Sequence, residues 1–183
     1  MIAKAKQHLF LLKKTFRSRN PGLLILSFKT YVIPLLEYCC QVWNPQNDSD
    51  IRRIESVQRM FTKKLPGYSG LNYPDRLEKA GLCTLELRRL RADLCLTYNM
   101  LHGNLDTDIS KFFEVCAQSI TRGHLWKLKN PAPRLDKRSH FFCFRIINAW
   151  NALLSDTVDA SSIASFRGKL EKESLEKFLI VKS

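Results

Sequence analysis

The chain has 183 residues, 45% of them apolar, which is enough for one compact domain or two small lobes. Its 30 Lys and Arg against 17 Asp and Glu give a formal net charge of +13. The apolar stretch near the N-terminus is interrupted by Lys13 and Lys14, and no other run reaches the length of a membrane span. Neither a membrane protein nor a secretory signal fits this pattern.

The six cysteines are scattered along the chain and indicate reduced thiols. Three of them lie inside strongly apolar helical patterns, where buried free thiols are common. A disulfide framework would need an oxidising compartment, and the spacing contains no Cys-x2-Cys pair for structural zinc. We therefore predict an intracellular protein, located in the nucleus or the cytoplasm.

The positive charge is concentrated in three clusters. Residues 1 to 20 carry six basic residues and no acid, residues 51 to 64 carry five against Glu55, and residues 121 to 145 carry seven against Asp136. Such clusters favour a polyanion as the partner, because each neutralised phosphate releases condensed counterions. The alternative is a basic protein whose lysines are merely solvated.

The first 45 residues have the apolar spacing of helices. One helix is predicted over about Ala3 to Phe16. A second is predicted over about Pro21 to Val42, and Pro34 should kink or break it because proline lacks the N–H of the helical ladder.

A third helix is the clearest amphipathic element, and Asp48 or Ser49 can cap its start. Its apolar face consists of Ile51, Ile54, Val57, Phe61 and Leu65. Arg52, Arg59 and Lys63 fall on the opposite face. We predict that this face contacts nucleic-acid phosphates.

Two further helices follow before the apolar periodicity lapses. A short one is predicted from Pro74 to Ala80, and a long one begins after Thr84, whose side chain can cap it. The long helix carries two apolar stripes, which places it at the centre of a bundle. The lapse after Gly103 predicts two regions, a helical bundle over residues 1–103 and a C-terminal helical region over 104–183.

The second region begins irregularly and ends in helices. Residues 121–138 alternate basic and apolar types around two prolines and predict a loop or short hairpin. Residues 140–154 are apolar nearly all round and predict a core helix. A last helix should start at Ser161 or Ser162, and the chain beyond Leu170 should fray. The predicted fold class is therefore mainly α, a helical bundle with a C-terminal helical tail.

No motif of an active site is present in the sequence. Two Asp-x-Asp pairs, at 48/50 and 106/108, resemble Mg²⁺ ligands, but both lie at turns or helix starts, where aspartate caps backbone N–H groups. The sequence contains no glycine-rich phosphate loop. We therefore predict no catalytic residue, no metal, no cofactor and no small-molecule substrate.

Basic residues interleaved with aromatic ones are the better functional signal. Cations for phosphates beside an aromatic ring for base stacking are typical of grooves that bind single strands or hybrids. The candidates in the C-terminal region are Arg122, Trp126, Lys127, Lys129, Arg134 and Arg138. The alternative places the aromatic rings in the core with the cations as a solvated rim, and for Phe141 the core is the prediction.

Long, ordered motifs cover most of the chain. A run Y-V-x-P-x-L-E-Y-x-x-x-V-W-x-P is formed by Tyr31, Val32, Pro34, Leu36, Glu37, Tyr38, Val42, Trp43 and Pro45. A second run, I-x-x-I-E-x-V-Q-R-x-F-T-K-x-L-x-G, is formed by Ile51, Ile54, Glu55, Val57, Gln58, Arg59, Phe61, Thr62, Lys63, Leu65 and Gly67. These runs, and further ones at 73–103, 121–128 and 141–153, resemble the part that follows the catalytic palm in non-LTR retrotransposon reverse transcriptases of the jockey and chicken-repeat type.

The resemblance covers about residues 3 to 172 and implies a helical thumb that closes over an RNA template and a DNA primer, followed by a family-specific tail. The family's catalytic Asp-Asp turn lies upstream of the matched part and is absent here, so the chain alone should not be an enzyme. The family's W-N-x-L-P appears as Trp150 to Leu154, with leucine in place of proline, which indicates drift. A decayed relic or a non-catalytic interaction protein therefore remains the alternative. Attachment of residues 2–19 to a membrane surface is a further, less favoured alternative to the prediction of no membrane partner.

Overall fold

A computed structural model describes residues 1–116, 123–131 and 136–181, with the backbone alone for residues 136 and 137. In these ranges the chain is mainly helical, as predicted. It divides into two compact units, one from Met1 to Arg89 that includes the chain end from Ile180, and one from Leu90 to Leu179. The division falls inside a helix, whereas the sequence prediction placed it at residues 103/104.

Unit 1 contains six helices and the start of a seventh. They are α1 (Ile2–Thr15), α2 (Pro21–Tyr31), α3 (Ile33–Glu37), α4 (Cys40–Trp43), α5 (Asp48–Lys63), α6 (Tyr73–Ala80) and α7 (Leu85–Leu101), the last of which continues into unit 2. Helices α1, α2, α3 and α5 enclose the core of this unit, in which the rings of Phe28 and Phe61 stack with their centroids 4.1 Å apart.

The predicted break at Pro34 is confirmed. Helix α2 begins at Pro21, where the Asn20 side chain accepts the Gly22 N–H at 2.9 Å, and ends at Tyr31. Pro34 lies in the first turn of α3, a position that needs no N–H donor. Cys39, with a φ of 51°, then separates α3 from α4.

Helix α5 has the predicted orientation. All five residues predicted for its apolar face are buried, although the last of them, Leu65, lies just beyond the end of the helix. Arg52, Arg59 and Lys63 are exposed. Asn47 rather than Asp48 occupies the N-cap position. Asp48 and Asp50 lie in the first turn, where a negative charge is favoured by the helix dipole.

The described residues of unit 2 contain the rest of α7 and five short helices. These are α8 (Asp136–Ser139), α9 (Phe142–Arg145), α10 (Ile147–Asn151), α11 (Ser155–Val158) and α12 (Ile163–Leu170), with 3-10 turns at Ile109–Lys111 and Glu176–Phe178. Its core contains the fully buried Trp150 and Phe166 beside Tyr98, whose hydroxyl donates to the Ala160 carbonyl at 2.5 Å. In the described ranges, the one β-pairing is an antiparallel bridge between Val115 and Leu128.

Three local predictions for unit 2 were wrong. The helix expected over 140–154 is two short helices that meet at Ile146. Phe141, predicted in the core, is 60% exposed because its backbone is extended and precedes α9. The segment after Leu170 packs instead of fraying, since Leu175 is buried and Glu173 accepts the Leu154 N–H at 3.2 Å. Proline at position 154 would lack that donor.

Candidate nucleic-acid interface

The basic face of α5 begins with arginines that already have acidic neighbours. The Arg52 Nε lies 2.8 Å from the Asp48 carboxylate one turn earlier, and Arg53 lies 3.5 Å from Asp50. Both pairs are well exposed, so each contributes about 0.3 to 0.5 kcal/mol at most. A phosphate can therefore compete for Arg52 at little cost.

Arg59 has a second role, because its guanidinium lies over the ring of Tyr73 on α6, 4.0 Å from the centroid. The Arg59 carbonyl also accepts from the Arg76 guanidinium at 3.3 Å. Arg59 and Arg52 line a small cleft with the acids Glu55 and Glu86. An anion would therefore contact these two arginines on the side away from the acids of the cleft.

Beneath this face lies a buried acid that the sequence interpretation missed. Glu55 accepts the Tyr73 hydroxyl and, at 2.9 Å, the Leu85 N–H at the start of α7. Burial raises the pKa of the Glu55 carboxyl, while the hydrogen bonds from Tyr73 and Leu85 act in the opposite direction. Gln58 adds a bond to the Cys83 carbonyl at 2.9 Å. The apolar spacing of an amphipathic helix does not predict such a network.

Arg89 is the most deeply buried basic residue among the described residues of unit 1, at 1% exposure. Its Nε donates to the Asn44 side chain at 2.7 Å, and burial lowers the pKa of its guanidinium. Its other two guanidinium nitrogens have no hydrogen-bond partner among the described residues. A buried charge of this kind holds α7 to the end of α4 and is not available to a nucleic acid.

Of the three predicted α5 residues, Lys63 has the fewest interactions with other described side chains. It is exposed at the last turn of α5 and forms no ion pair with any described residue. The structure thus places Arg52, Arg59 and Lys63 on one exposed helix face. Arg52 has an ion pair and Arg59 a ring contact, whereas Lys63 has neither within the described residues.

In unit 2 the predicted Trp126 is half-buried, with its ring 5.0 Å from that of His102. Its carbonyl accepts the indole N–H of Trp150 at 2.8 Å. Asn151 donates to the Leu128 carbonyl and accepts the Leu128 N–H, both at 2.8 Å. The motifs at 121–128 and 141–153 therefore bind each other, a structural reason for their residue types that the sequence interpretation missed.

The lysines beside Trp126 also have neighbours. Lys129 pairs with the exposed Glu114, and this hydrogen bond raises the pKa of the Lys129 ammonium. Lys127 is half-buried and folds back over Gly123, where an added Cβ would lie 2.6 Å from the Lys127 Cε. The Gly123 φ of 137° likewise favours glycine.

The remaining predicted residues are Arg138, Arg122 and Arg134. Arg138 is exposed at the end of α8. Arg122 and Arg134 lie outside the described residues. Among the candidates of unit 2 that the structure describes, Arg138 is therefore the exposed cation that forms no ion pair with a described residue.

Three of the four aspartates in the Asp-x-Asp pairs, Asp48, Asp50 and Asp108, have local partners. Asp108 accepts the Ser110 N–H at 3.1 Å, as expected for a capping residue. Residues 1–116, 123–131 and 136–181 contain no group of three His, Cys, Asp or Glu side chains able to hold a metal ion. Within the same ranges, no helix is both long and apolar enough to cross a bilayer.

Comparison with known proteins gives one informative similarity. The chain is 28% identical over 95 residues to an uncharacterized protein of Caenorhabditis elegans. The match covers 50% of this chain and 48% of that protein, so the chain aligns with about half the length of this relative. No protein-family model and no solved structure matches the chain.

Proposed function

We propose that the chain is the C-terminal part of a retrotransposon RNA-directed DNA polymerase and that it binds template-primer nucleic acid through unit 1. The observation that carries the proposal is α5, where an exposed row of Arg52, Arg59 and Lys63 lies opposite a buried apolar face. The motif resemblance supplies the family, and the surplus of basic residues in unit 1 supplies an electrostatic reason for binding.

Titration of an RNA–DNA hybrid duplex into the full chain at 50 to 200 mM salt tests this proposal. The logarithm of the affinity should fall linearly with the logarithm of the salt concentration. Arg52→Gln combined with Lys63→Gln should flatten this slope by roughly 1.4 to 1.8, because each lost phosphate contact removes about 0.7 to 0.9. Arg59 stays unchanged in this variant because it also packs on Tyr73.

Lys172→Gln with Lys177→Gln is the matched control, since it removes two exposed positive charges from unit 2. Equal flattening by both double variants would show general charge attraction instead of a site on α5. Absence of salt-dependent binding by the unchanged chain would refute the proposal. The unchanged chain should also incorporate no nucleotide on any primer-template, because two-metal phosphoryl transfer needs the carboxylates of the upstream palm.

A second candidate function is a helical module that binds protein. It is favoured by large apolar side chains on the surface of unit 1, including Phe10 at 66%, Leu26 at 61% and Val42 at 86% exposure. Loss of hybrid binding in the first experiment, with a folded chain, would favour this candidate.

A further inference from the structure

Unit 1 contains an open cavity that is formed by the start of α1 together with α3, α4 and the turn between them. Its volume is about 660 Å³, and the described residues that line it are Met1, Lys4, Leu35, Tyr38, Cys39 and Trp43. We call it the Tyr38 cavity. Sites for small organic ligands have volumes of about 300 to 1,000 Å³. The Tyr38 cavity is therefore large enough for an aromatic ring system with a charged substituent.

The side chains that line the Tyr38 cavity differ in how firmly they are held. Leu35 and Trp43 are partly buried against the core of unit 1. The Trp43 indole N–H also donates to the Tyr38 carbonyl at 2.6 Å, which fixes the backbone of the turn. The Tyr38 side chain itself is 77% exposed. Packing of the core therefore does not require the Tyr38 ring, and its faces are accessible to a ligand.

The backbone at Cys39 explains why Tyr38 is exposed. Cys39 has a φ of 51°, and among the described residues it is the one non-glycine residue in the left-handed region. Residues held in that region are often found at ligand-binding sites. The turn at Cys39 separates the end of α3 at Glu37 from the start of α4 at Cys40. Tyr38 thus lies between two helices and belongs to neither.

The charge of the Tyr38 cavity is positive. Among the described residues that line it, Lys4 is the charged one and none is acidic. Lys4 is exposed and forms no ion pair with a described residue. The nearest acid in the sequence, Glu37, is paired with Arg88. The cavity therefore favours a ligand that combines a planar ring with a negative charge.

A nucleotide has both parts, because its base stacks on aromatic rings and its phosphate binds cations. We propose that the Tyr38 cavity binds one unpaired nucleotide of a single strand, with the base on the Tyr38 ring and the phosphate at Lys4. This goes beyond the proposed function, since a paired duplex on α5 presents phosphates but no free face of a base. The sequence interpretation used Tyr38 and Trp43 as motif residues and assigned neither of them a binding role.

The first test measures binding of fluorescein-labelled oligothymidylate to the full chain by fluorescence anisotropy. Tyr38→Ala should weaken binding by about 5- to 150-fold, the loss expected for one stacked base, whereas Tyr38→Phe keeps the ring and should keep the affinity. The matched control is Tyr31→Ala, since Tyr31 is 55% exposed on α2 and does not line the Tyr38 cavity.

Because the Tyr38 side chain is exposed, Tyr38→Ala should leave the melting temperature unchanged, so a loss of affinity is not a loss of folding. Unchanged affinity of the Tyr38→Ala variant, or an equal loss in the Tyr31→Ala variant, would overturn the inference.

The second test separates stacking from charge with an abasic strand of the same length. The unchanged chain and the Tyr38→Ala variant should bind the abasic strand equally, because it has no base to stack. Lys4→Gln should flatten the salt slope by about 0.7 on either strand, the single-strand value for one phosphate. Lys6→Gln is its control on α1, since Lys6 is exposed but does not line the cavity, and it should flatten the slope less. A Tyr38→Ala loss that persists on the abasic strand would contradict base stacking.

The third test compares other occupants of the Tyr38 cavity. Adenosine monophosphate carries one base and one phosphate, and it should displace the strand only at much higher concentration, because the strand makes further phosphate contacts. Equal potency would assign the cavity to free nucleotides and overturn the inference. An acidic peptide that contains phenylalanine should not displace the strand. Displacement that depends on Tyr38 would assign the cavity to a protein partner instead.

The outcomes separate this inference from the proposed function. If the single strand binds through Tyr38 but the unchanged chain does not bind the hybrid duplex, the inference stands and the proposed function fails. If the hybrid binds through α5 and Tyr38→Ala leaves single-strand affinity unchanged, the proposed function stands and the inference fails.

Discussion

The two units use their positive charge in different ways. Residues 1 to 89 contain 16 Lys and Arg against seven Asp and Glu, whereas residues 90 to 179 contain 13 against ten. Among the described residues of unit 2, three ion pairs connect separate elements, namely Arg145–Asp93, Lys129–Glu114 and Lys169–Asp156. In the described part of unit 1, one pair does so, Arg88–Glu37, and the other two lie within α5.

This difference separates charge that stabilises a fold from charge that is available to a partner. A buried, hydrogen-bonded pair cannot be given up to a phosphate without leaving its partner uncompensated. Exposed cations in excess over the neighbouring acids can bind a new anion at little cost in free energy. Together they produce the electrostatic field that attracts a polyanion. The number of cations without an acidic partner in one region therefore predicts a binding surface better than the net charge of the whole chain does.

The largest expected effect concerns the core of unit 2. Trp150 is fully buried and donates its indole N–H to Trp126, so Trp150→Ala should lower the free energy of unfolding by about 3 to 5 kcal/mol, measured by chemical denaturation. Trp126→Ala should cost less stability because Trp126 is half-buried. If Trp126 stacks on a base, its loss should weaken hybrid binding by about 1 to 3 kcal/mol. Equal destabilisation by both variants, with unchanged binding, would make Trp126 a core residue.

The next effect tests the buried ion pair of unit 2. Asp93 accepts two hydrogen bonds from Arg145, at 3.0 and 2.9 Å, and both side chains are almost inaccessible. Asp93→Asn should lower the free energy of unfolding by roughly 3 kcal/mol, because it leaves a buried guanidinium uncompensated. Asp156→Asn, which affects the exposed pair with Lys169, should cost at most about 1 kcal/mol. Similar losses for the two variants would contradict the distinction between buried and exposed ion pairs.

A smaller effect compares single lysines of the two units in hybrid binding. Lys63→Gln removes an exposed cation that has no ion pair within the described ranges, so it should flatten the salt slope by about 0.7 to 0.9. Lys129→Gln should flatten it less, because Lys129 lies in unit 2, outside the proposed binding face of α5. Fluorescence anisotropy at several salt concentrations measures both slopes. A larger change for Lys129 would move the binding surface to unit 2.

The smallest effect is a pH dependence of unit 2. Burial lowers the pKa of His124, whose Nε2–H donates to the Trp150 carbonyl at 3.1 Å. Below the unfolded value of about 6.5, the unfolded chain binds a proton that folded His124 does not, so the free energy of unfolding should fall as the pH decreases through that value. Above it, both states are neutral and the contribution is constant.

Denaturation between pH 5 and pH 8 measures this dependence. His124→Gln should remove part of the acid sensitivity while keeping a donor for the Trp150 carbonyl, and the exposed His140→Gln is the matched control. An acid sensitivity that is the same in the His124 variant and in the unchanged chain would assign it to other groups.

Several elements were predictable because they depend on residues close together in the chain. The apolar spacing from Ile51 to Leu65 fixes which face of α5 is buried, since a helix repeats every 3.6 residues. Pro34 breaks its helix through its own missing donor, and Ser162 caps α12 through the Ser165 N–H at 3.2 Å. The Glu55 hydrogen bond to Leu85 was not predictable, because it joins residues 30 positions apart.

The sequence by itself determined the helical class, the positions of most helices and the basic face of α5, since these follow from local spacing, capping and proline chemistry. Only the tertiary structure decided which charges are compensated. It brings Asp93 to Arg145 and Glu37 to Arg88, contacts that depend on how helices pack across long separations in the chain. Phe141 is exposed for a similar reason, because the start of α9 places it outside the helix that its apolar neighbours predicted.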